Sequence, residues 1–249
     1  MILYENERID EVNDKLSLIQ KTDGLTFGTD ALLLAGYIAG RYKSGAELGG
    51  GSGIISMLLL TRDKIRRTIC YEVQKDYAAL IGRNAELNGL CDRLFAVCAD
   101  VRTLPTEEDT DIVFTNPPYM KSDGGKNNDR DEKSIARHEI CGSIADFCNA
   151  AKRKLKFGGA FYAVYRPDRL ADLIAAMRGA GLEPKRCTFV HASCGKEAAM
   201  VLIEGKKGAK PGMMLTPPFI IYKNNEHKEY TEDMEFVMEN GSFPAIFKR

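Results

Sequence analysis

Two short stretches of the chain combine residue types that do chemistry at a fixed spacing. The first is Glu47-Leu48-Gly49-Gly50-Gly51-Ser52-Gly53, with glycines at the alternate positions 49, 51 and 53. Glycine takes positive φ without steric cost, and such a loop lets backbone approach a ligand closely at the carboxyl end of a strand. Glu72 stands 19 residues beyond Gly53, at the end of the next β-type run, where its carboxylate can accept from both hydroxyls of a ribose. Two phosphate-cradling patterns fail: Ile54 occupies the place of the third glycine of a dinucleotide fingerprint, and no Lys-Ser/Thr pair completes a P-loop. The spacing that survives is the one used for S-adenosyl-L-methionine, whose amino-acid end rests against a glycine turn. Asp100, with Val101 beside it, follows the third β-type run and is placed to take the cofactor's adenine amino group; a helix cap is the competing reading for Asp100.

The second stretch is Asn116-Pro117-Pro118-Tyr119, directly after the apolar run Asp111 to Thr115. Two prolines fix the backbone and remove two N–H donors, leaving the carbonyls of Asn116 and Pro117 as acceptors. A planar amino group finds two acceptors there, the Asn116 side-chain oxygen and the Pro117 carbonyl. Those bonds hold its nitrogen in line with a methyl sulfonium and draw its lone pair out of ring conjugation, while Tyr119 offers a face for a base. Positioning carries the chemistry, and no ionised acid or base is required. Reaching the amino nitrogen of a base requires it to be splayed from its stack, which costs least in a single-stranded loop.

The elements that must hold these residues alternate. Ala46 to Leu48, Thr68 to Val73, Leu94 to Ala99, Asp111 to Thr115 and Gly159 to Tyr165 read as strands. Between them lie helical patterns over Ile54 to Leu60, Lys75 to Asn88 and about Ile135 to Lys156, with a further helix from Pro167 to Arg178. This βαβ grammar predicts an α/β, Rossmann-like fold of about seven strands, a mostly parallel sheet with helices on both faces. Arg186 to His191 and Ala198 to Glu204 predict an antiparallel addition at the sheet edge. Residues 1–28 read as an N-terminal extension packed on the core, 29–205 as the core, and 206–249 as a linker and tail opening on Lys206-Lys207-Gly208-Ala209-Lys210-Pro211-Gly212. Thr29 is placed to cap a helix through Ala35, and Lys121 to Lys133, without an apolar residue, predicts a mobile loop.

Composition bounds the function classes. Of 249 residues 44% are hydrophobic and 28% charged, which excludes a chain disordered throughout. Seven cysteines without a C-x-x-C pair, and three histidines, argue for reduced thiols and against a zinc site; no metal is expected. No apolar run reaches the roughly 18 residues of a membrane span, and Met1-Ile2-Leu3 leads into Glu5, Glu7 and Asp10 without a basic segment. A cytoplasmic protein is therefore expected. The 35 basic and 35 acidic side chains balance, which neither requires nor forbids an RNA partner and is compatible with a monomer or a dimer.

With both stretches in strand order, the chain resembles the class I S-adenosyl-L-methionine-dependent methyltransferases that carry N-P-P-Y and methylate amino groups. Gly24 to Ala35 (GLTFGTDALLLA), Ala136-Arg137-His138-Glu139 and Pro217-Pro218-Phe219-Ile220-Ile221-Tyr222 further resemble the tRNA1(Val) adenine-37 N6-methyltransferase family. That resemblance implies methylation of the N6 amino group of a tRNA adenosine beside the anticodon. It implies that Phe27, Thr29 and Asp30 shape the cofactor pocket, and that Arg137 and His138 lie near the base or its phosphates. Glu47 stands where Asp is commoner, and Gly50 implies a loop more flexible than usual. Lys121, with Lys126, Arg130 and Lys133, is a candidate phosphate contact, although interleaved Asp123, Asp129, Asp131 and Glu132 equally make a solvated loop. Two rival readings remain. A protein glutamine N5-methyltransferase presents the same planar amino group, but residues 1–28 are too few for the helical N-terminal domain usual there; a catalytically inactive RNA-binding module would have no use for Glu72 and Asn116.

Overall fold

The computed structural model describes residues 3–22, 27–117 and 142–248. A hairpin of β1 (Glu7–Asn13) and β2 (Leu16–Lys21) comes first, antiparallel and apart from the main sheet. The main chain then runs α1 (Thr29–Tyr37), β3 (Tyr42–Leu48), α2 (Ile54–Thr61), β4 (Ile65–Glu72), α3 (Lys75–Leu87), β5 (Leu94–Cys98) and β6 (Thr110–Thr115). It continues through α4 (Ile144–Lys154), β7 (Leu155–Tyr165), α5 (Leu170–Gly179), β8 (Leu182–Ser193), β9 (Ala198–Lys207), β10 (Met214–Leu215), β11 (Phe219–Tyr222) and α6 (Glu232–Asn240). Among the described residues the sheet has nine strands in the order β10-β8-β9-β7-β6-β3-β4-β5, with β11 also on β8.

The expected doubly wound, mostly parallel sheet is present, with two differences. First, β9 is the single reversed strand, and it lies between β7 and β8 rather than at the edge. Second, two strands join the seven expected, because the outer edge of β8 is taken by β10 and β11, both parallel to it. Thr216, Pro217 and Pro218 separate these two strands. Proline has no N–H to give a ladder, so the pair breaks one edge strand into two short ones.

Both sheet faces are covered. Leu33, Leu34, Leu58 and Leu59 from α1 and α2, Ile81 from α3 and Val237 from α6 bury against Ile112, Phe114 and Tyr162 on one face. On the other, Phe147 and Ala151 of α4 and Leu173 and Met177 of α5 bury against Val113, Phe161 and Ile203. The segment from β5 to β6 contains a single 3-10 turn, Val101–Thr103, and no crossover α-helix, so Ile69, Phe95 and Val97 stay exposed at that end. The tail enters the first core through Phe219, Phe243 and Phe247. Arg186 of β8, 1% exposed, stacks 3.8 Å over the Tyr37 ring and donates to the carbonyls of Tyr37 (2.8 Å) and Phe247 (2.7 Å), with Glu204 as its counter-ion.

Local chemistry sets the helix starts. α4 begins at Ile144, where Ser143 and Asp146 form a reciprocal capping box behind Gly142 at φ +85°. α1 is capped by Gly28 rather than by Thr29 as expected, and no side chain caps it. The first-turn N–H of Ala31 is taken instead by Asp30 Oδ1 at 2.9 Å.

Candidate functional site

The glycine loop leaves β3 and folds onto β4: the N–H groups of Gly49 and Gly50 both donate to the Tyr71 carbonyl, at 2.9 and 3.1 Å. Gly49, Gly51 and Gly53 take φ of +72°, +55° and +81°, the region that glycine alone occupies freely. Gly50 has a different reason to be glycine. A Cβ there would sit 2.0 Å from Cys70 Sγ, and the Gly50 carbonyl accepts from Gly53 N–H at 2.8 Å, so packing pins this residue where its departure from the family pattern led us to expect extra flexibility. Around Gly51 a Cβ would meet nothing within 4 Å: the turn has an open side on which a ligand can lie against backbone.

Glu72, the last residue of β4, faces the same turn. Its Oε2 accepts from Gly51 N–H at 2.9 Å and its Oε1 from Gln74 N–H at 3.0 Å. Two backbone donors fix the carboxylate, and each oxygen keeps a second lone pair for a hydroxyl. Glu47 lies below the turn, 1% exposed, its Oε2 accepting from Ser56 N–H (3.0 Å) and Ser56 Oγ (2.5 Å) at the start of α2. Burial pushes its carboxyl up to about 7 against the opposing pull of Ser56.

Asp100 realises the cap reading: its Oδ1 accepts from Arg102 N–H at 2.8 Å, starting the 3-10 turn. The Arg102 guanidinium also binds both carboxylate oxygens and holds Asp100 below the usual carboxylate range, so an adenine amino group has to share or displace it. Val101 is buried, and its carbonyl accepts from Arg153 at 2.7 Å.

The second stretch meets the first through β6. Thr115 Oγ1 donates to the Leu48 carbonyl at 2.7 Å, which brings Asn116 and the buried Pro117 beside the glycine turn. Asn116 Nδ2 donates to Asp30 Oδ2 at 2.8 Å. Phe27, half-buried, is set by its N–H bond to Gln20 Oε1 at 2.7 Å, and Thr29 is exposed at the first turn of α1. Thr29 and Asp30 line a cleft of about 310 Å³ with Tyr165, Arg166, Ala199 and Met200. The structure therefore gathers Asp30, Glu47, Gly49, Gly51, Gly53, Glu72 and Asn116 at the carboxyl ends of β3, β4 and β6. Pro118, Tyr119, Lys121, Arg137 and His138, and the loop expected over 121–133, lie outside the described residues.

Sequence reading missed Gln20, Tyr165, Arg166 and Met200. Tyr165 and Arg166 had a signal, since they end the parallel strand after the one that carries Asn116, and strand ends on this side build the crevice. Gln20 and Met200 had none. Of the histidines, His191 Nδ1 bonds the Lys196 carbonyl at 2.7 Å, and His227 stacks on Tyr222 with centroids 4.6 Å apart. Among the described residues no group of three or more His, Cys, Asp or Glu could hold a metal ion, and no helix is long and apolar enough to cross a membrane.

The glycine turn, open at Gly51, and the fixed Glu72 carboxylate fit the amino-acid and ribose ends of S-adenosyl-L-methionine. Comparison with known proteins leads the same way. The chain is 22% identical over 180 residues to the tRNA1(Val) (adenine(37)-N6)-methyltransferase of Dyadobacter fermentans, covering 72% of this chain and 74% of that protein. It is 25% identical to the enzyme of the same name from Phocaeicola vulgatus, covering 78% and 79%. Among solved structures, a predicted O-methyltransferase of Agrobacterium tumefaciens superposes with a TM-score of 0.70 at 24% identity, over 86% of this chain and 98% of that one. The geranyl diphosphate C-methyltransferase of Streptomyces coelicolor reaches 0.54 at 12% identity, over 72% and 77%, and both show the fold alone. The model of the methyltransferase small domain matches residues 21–172, from β2 into α5 and through both chemical stretches, so the chain belongs to that family and its cofactor is S-adenosyl-L-methionine.

Proposed function

We propose that this enzyme methylates the exocyclic N6 amino group of an adenosine in tRNA, at the anticodon-loop position 37 that its relatives' names carry, in the cytoplasm. The observation that carries the reading is the seat of Asn116-Pro117: it follows β6 directly and is tied to the glycine turn through Thr115. S-adenosyl-L-methionine, when bound, supplies an electrophilic methyl group on a sulfonium. Glu72 and the backbone of Gly49, Gly51 and Gly53 hold it, with Phe27, Thr29 and Asp100–Val101 around it and Glu47 bracing the turn from below. The Asn116 oxygen and the Pro117 carbonyl accept the two amino hydrogens and keep the nitrogen lone pair off the ring. The bound group would supply its methyl to that nitrogen and leave as a neutral thioether, and the surplus proton on nitrogen would pass to water. On their sequence alone, Pro118 and Tyr119 are assigned to the base and Lys121, Arg137 and His138 to the RNA.

The test is labelled S-adenosyl-L-methionine with unmodified tRNA, and in parallel with a protein fraction, followed by nucleoside analysis. Label recovered as N6-methyladenosine is the expected result, and Asn116→Ala lowers the single-turnover rate by about 10²–10³. Label confined to protein would replace this reading by methylation of a glutamine amide.

A further inference from the structure

The Asn116 side chain has two amide orientations of nearly identical shape, and they act oppositely on an amino group. One presents an oxygen that accepts its hydrogens; the other presents an NH2 that repels it. Asp30 selects between them, its Oδ2 taking Asn116 Nδ2 at 2.8 Å across 86 positions of chain. A carboxylate only accepts, so the nitrogen branch is the one that faces it and the oxygen branch is turned the other way. Asp30 is itself held in place. Its Oδ1 accepts from Ala31 N–H at 2.9 Å in the first turn of α1, where the helix dipole favours an anion. Gly28 leaves it room, since a Cβ there would lie 2.8 Å from Oδ1. Asp30 also borders the cleft with Tyr165, Arg166 and Met200, to which no residue of the glycine turn contributes.

We propose that Asp30 is a positioning residue for methyl transfer, acting through Asn116: it locks the amide so that Oδ1 meets the incoming amino group. This rests on reading Asn116 as the acceptor for that group, and it departs from the family resemblance, which makes Asp30 part of the cofactor pocket. The consequence is a split between binding and rate. With cofactor and tRNA saturating, Asp30→Ala slows single-turnover transfer by about 100-fold, the scale of a misplaced reacting group, while cofactor affinity measured by calorimetry is unchanged. Asn116→Asp sets two carboxylates against each other and is slow. Adding Asp30→Asn exchanges donor and acceptor across the same hydrogen bond, and the double variant gains about tenfold over Asn116→Asp alone.

Cofactor affinity falling in step with the rate in Asp30→Ala, or no gain from Asp30→Asn in the Asn116→Asp background, overturns the proposal. A readout independent of the acceptor accompanies these assays. In protein labelled with 15N-asparagine, the side-chain signal lost in Asn116→Ala shifts in Asp30→Ala; an unshifted signal overturns the contact itself. If the wild type methylates no RNA and that signal still shifts, the acceptor reading fails and the hold of Asp30 on Asn116 stands.

Discussion

Glu47 and Glu72 lie under one glycine turn in different surroundings. Glu72 accepts a backbone N–H on each oxygen. Glu47 has Ser56 and the Cys70 thiol at 3.5 Å for company, and burial raises its carboxyl from 4.5 to about 7. A carboxyl whose folded value is raised favours the fold in its protonated form. That contribution is complete below the unfolded value near 4.5 and is lost as pH climbs through about 7. The melting temperature of the wild type therefore falls between pH 5 and 8 through this group, and Glu47→Gln, which mimics the protonated acid, flattens that part of the profile. Parallel slopes in a thermal-melt series across that range would refute the assignment. At this scale the sequence was legible wherever the chemistry is local: Gly49 to Gly53, Glu72 and Asn116-Pro117 announce themselves by type and spacing. The pairing of Asp30 with Asn116 was not, because it depends on α1 being laid against the end of β6, 86 positions away, and that of Gln20 with the Phe27 amide was not, because no pattern of residue types marks it.

At the scale of elements, the β3–α2 turn shows how a glycine can be required for two reasons in one loop. Gly51 serves an open face, and Gly50 serves a closed one against β4. Gly50→Ala therefore drives a methyl into Cys70 Sγ and costs about 1–3 kcal/mol of stability by overpacking, measured by urea unfolding. Cys70→Ala removes the obstacle, so the two substitutions together cost less than their sum. Strict additivity would mean that the turn yields elsewhere. The alternation of strands and helices was readable because apolar runs and breakers carry it. The place of β9 inside the sheet was not, since nothing in Ala198 to Glu204 says which of two neighbours closes its second edge. Thr29 misled for a related reason: a good capping residue stood one position too late, and the Asp30 carboxylate supplied the first-turn acceptor from within the helix.

Across the whole molecule, β9 runs through Lys206 and Lys207, which the sequence placed in a linker, and the residues after the Gly208 to Gly212 break do more than trail from the sheet. β10 and β11 cover the outer edge of β8, α6 adds Met234 and Val237 to the first core, and Phe219, Phe243 and Phe247 pack ring against ring beside Tyr37. Polar spacers and two consecutive prolines hide this in the sequence, because the apolar residues involved are too scattered to form a periodic pattern. Removing residues 209–249 leaves a bare strand edge and an opened core, and the expected product aggregates instead of melting cooperatively. Recovery of a soluble truncated chain with a sharp melt would show that the first 208 residues suffice.

The clasp of Arg186 on the carbonyls of Tyr37 and Phe247 also sets an order of events in the cell. A ribosome makes Asp30 and Asn116 early and Phe247 late. A nascent chain halted before Phe243 has cleared the ribosome holds the candidate site residues Asp30, Glu72 and Asn116 and lacks the Phe243 and Phe247 rings that seat α1, the helix carrying Asp30, against the sheet. Methyl-transfer competence is therefore expected only after Phe247 has emerged, however long before it Asp30 and Asn116 were made.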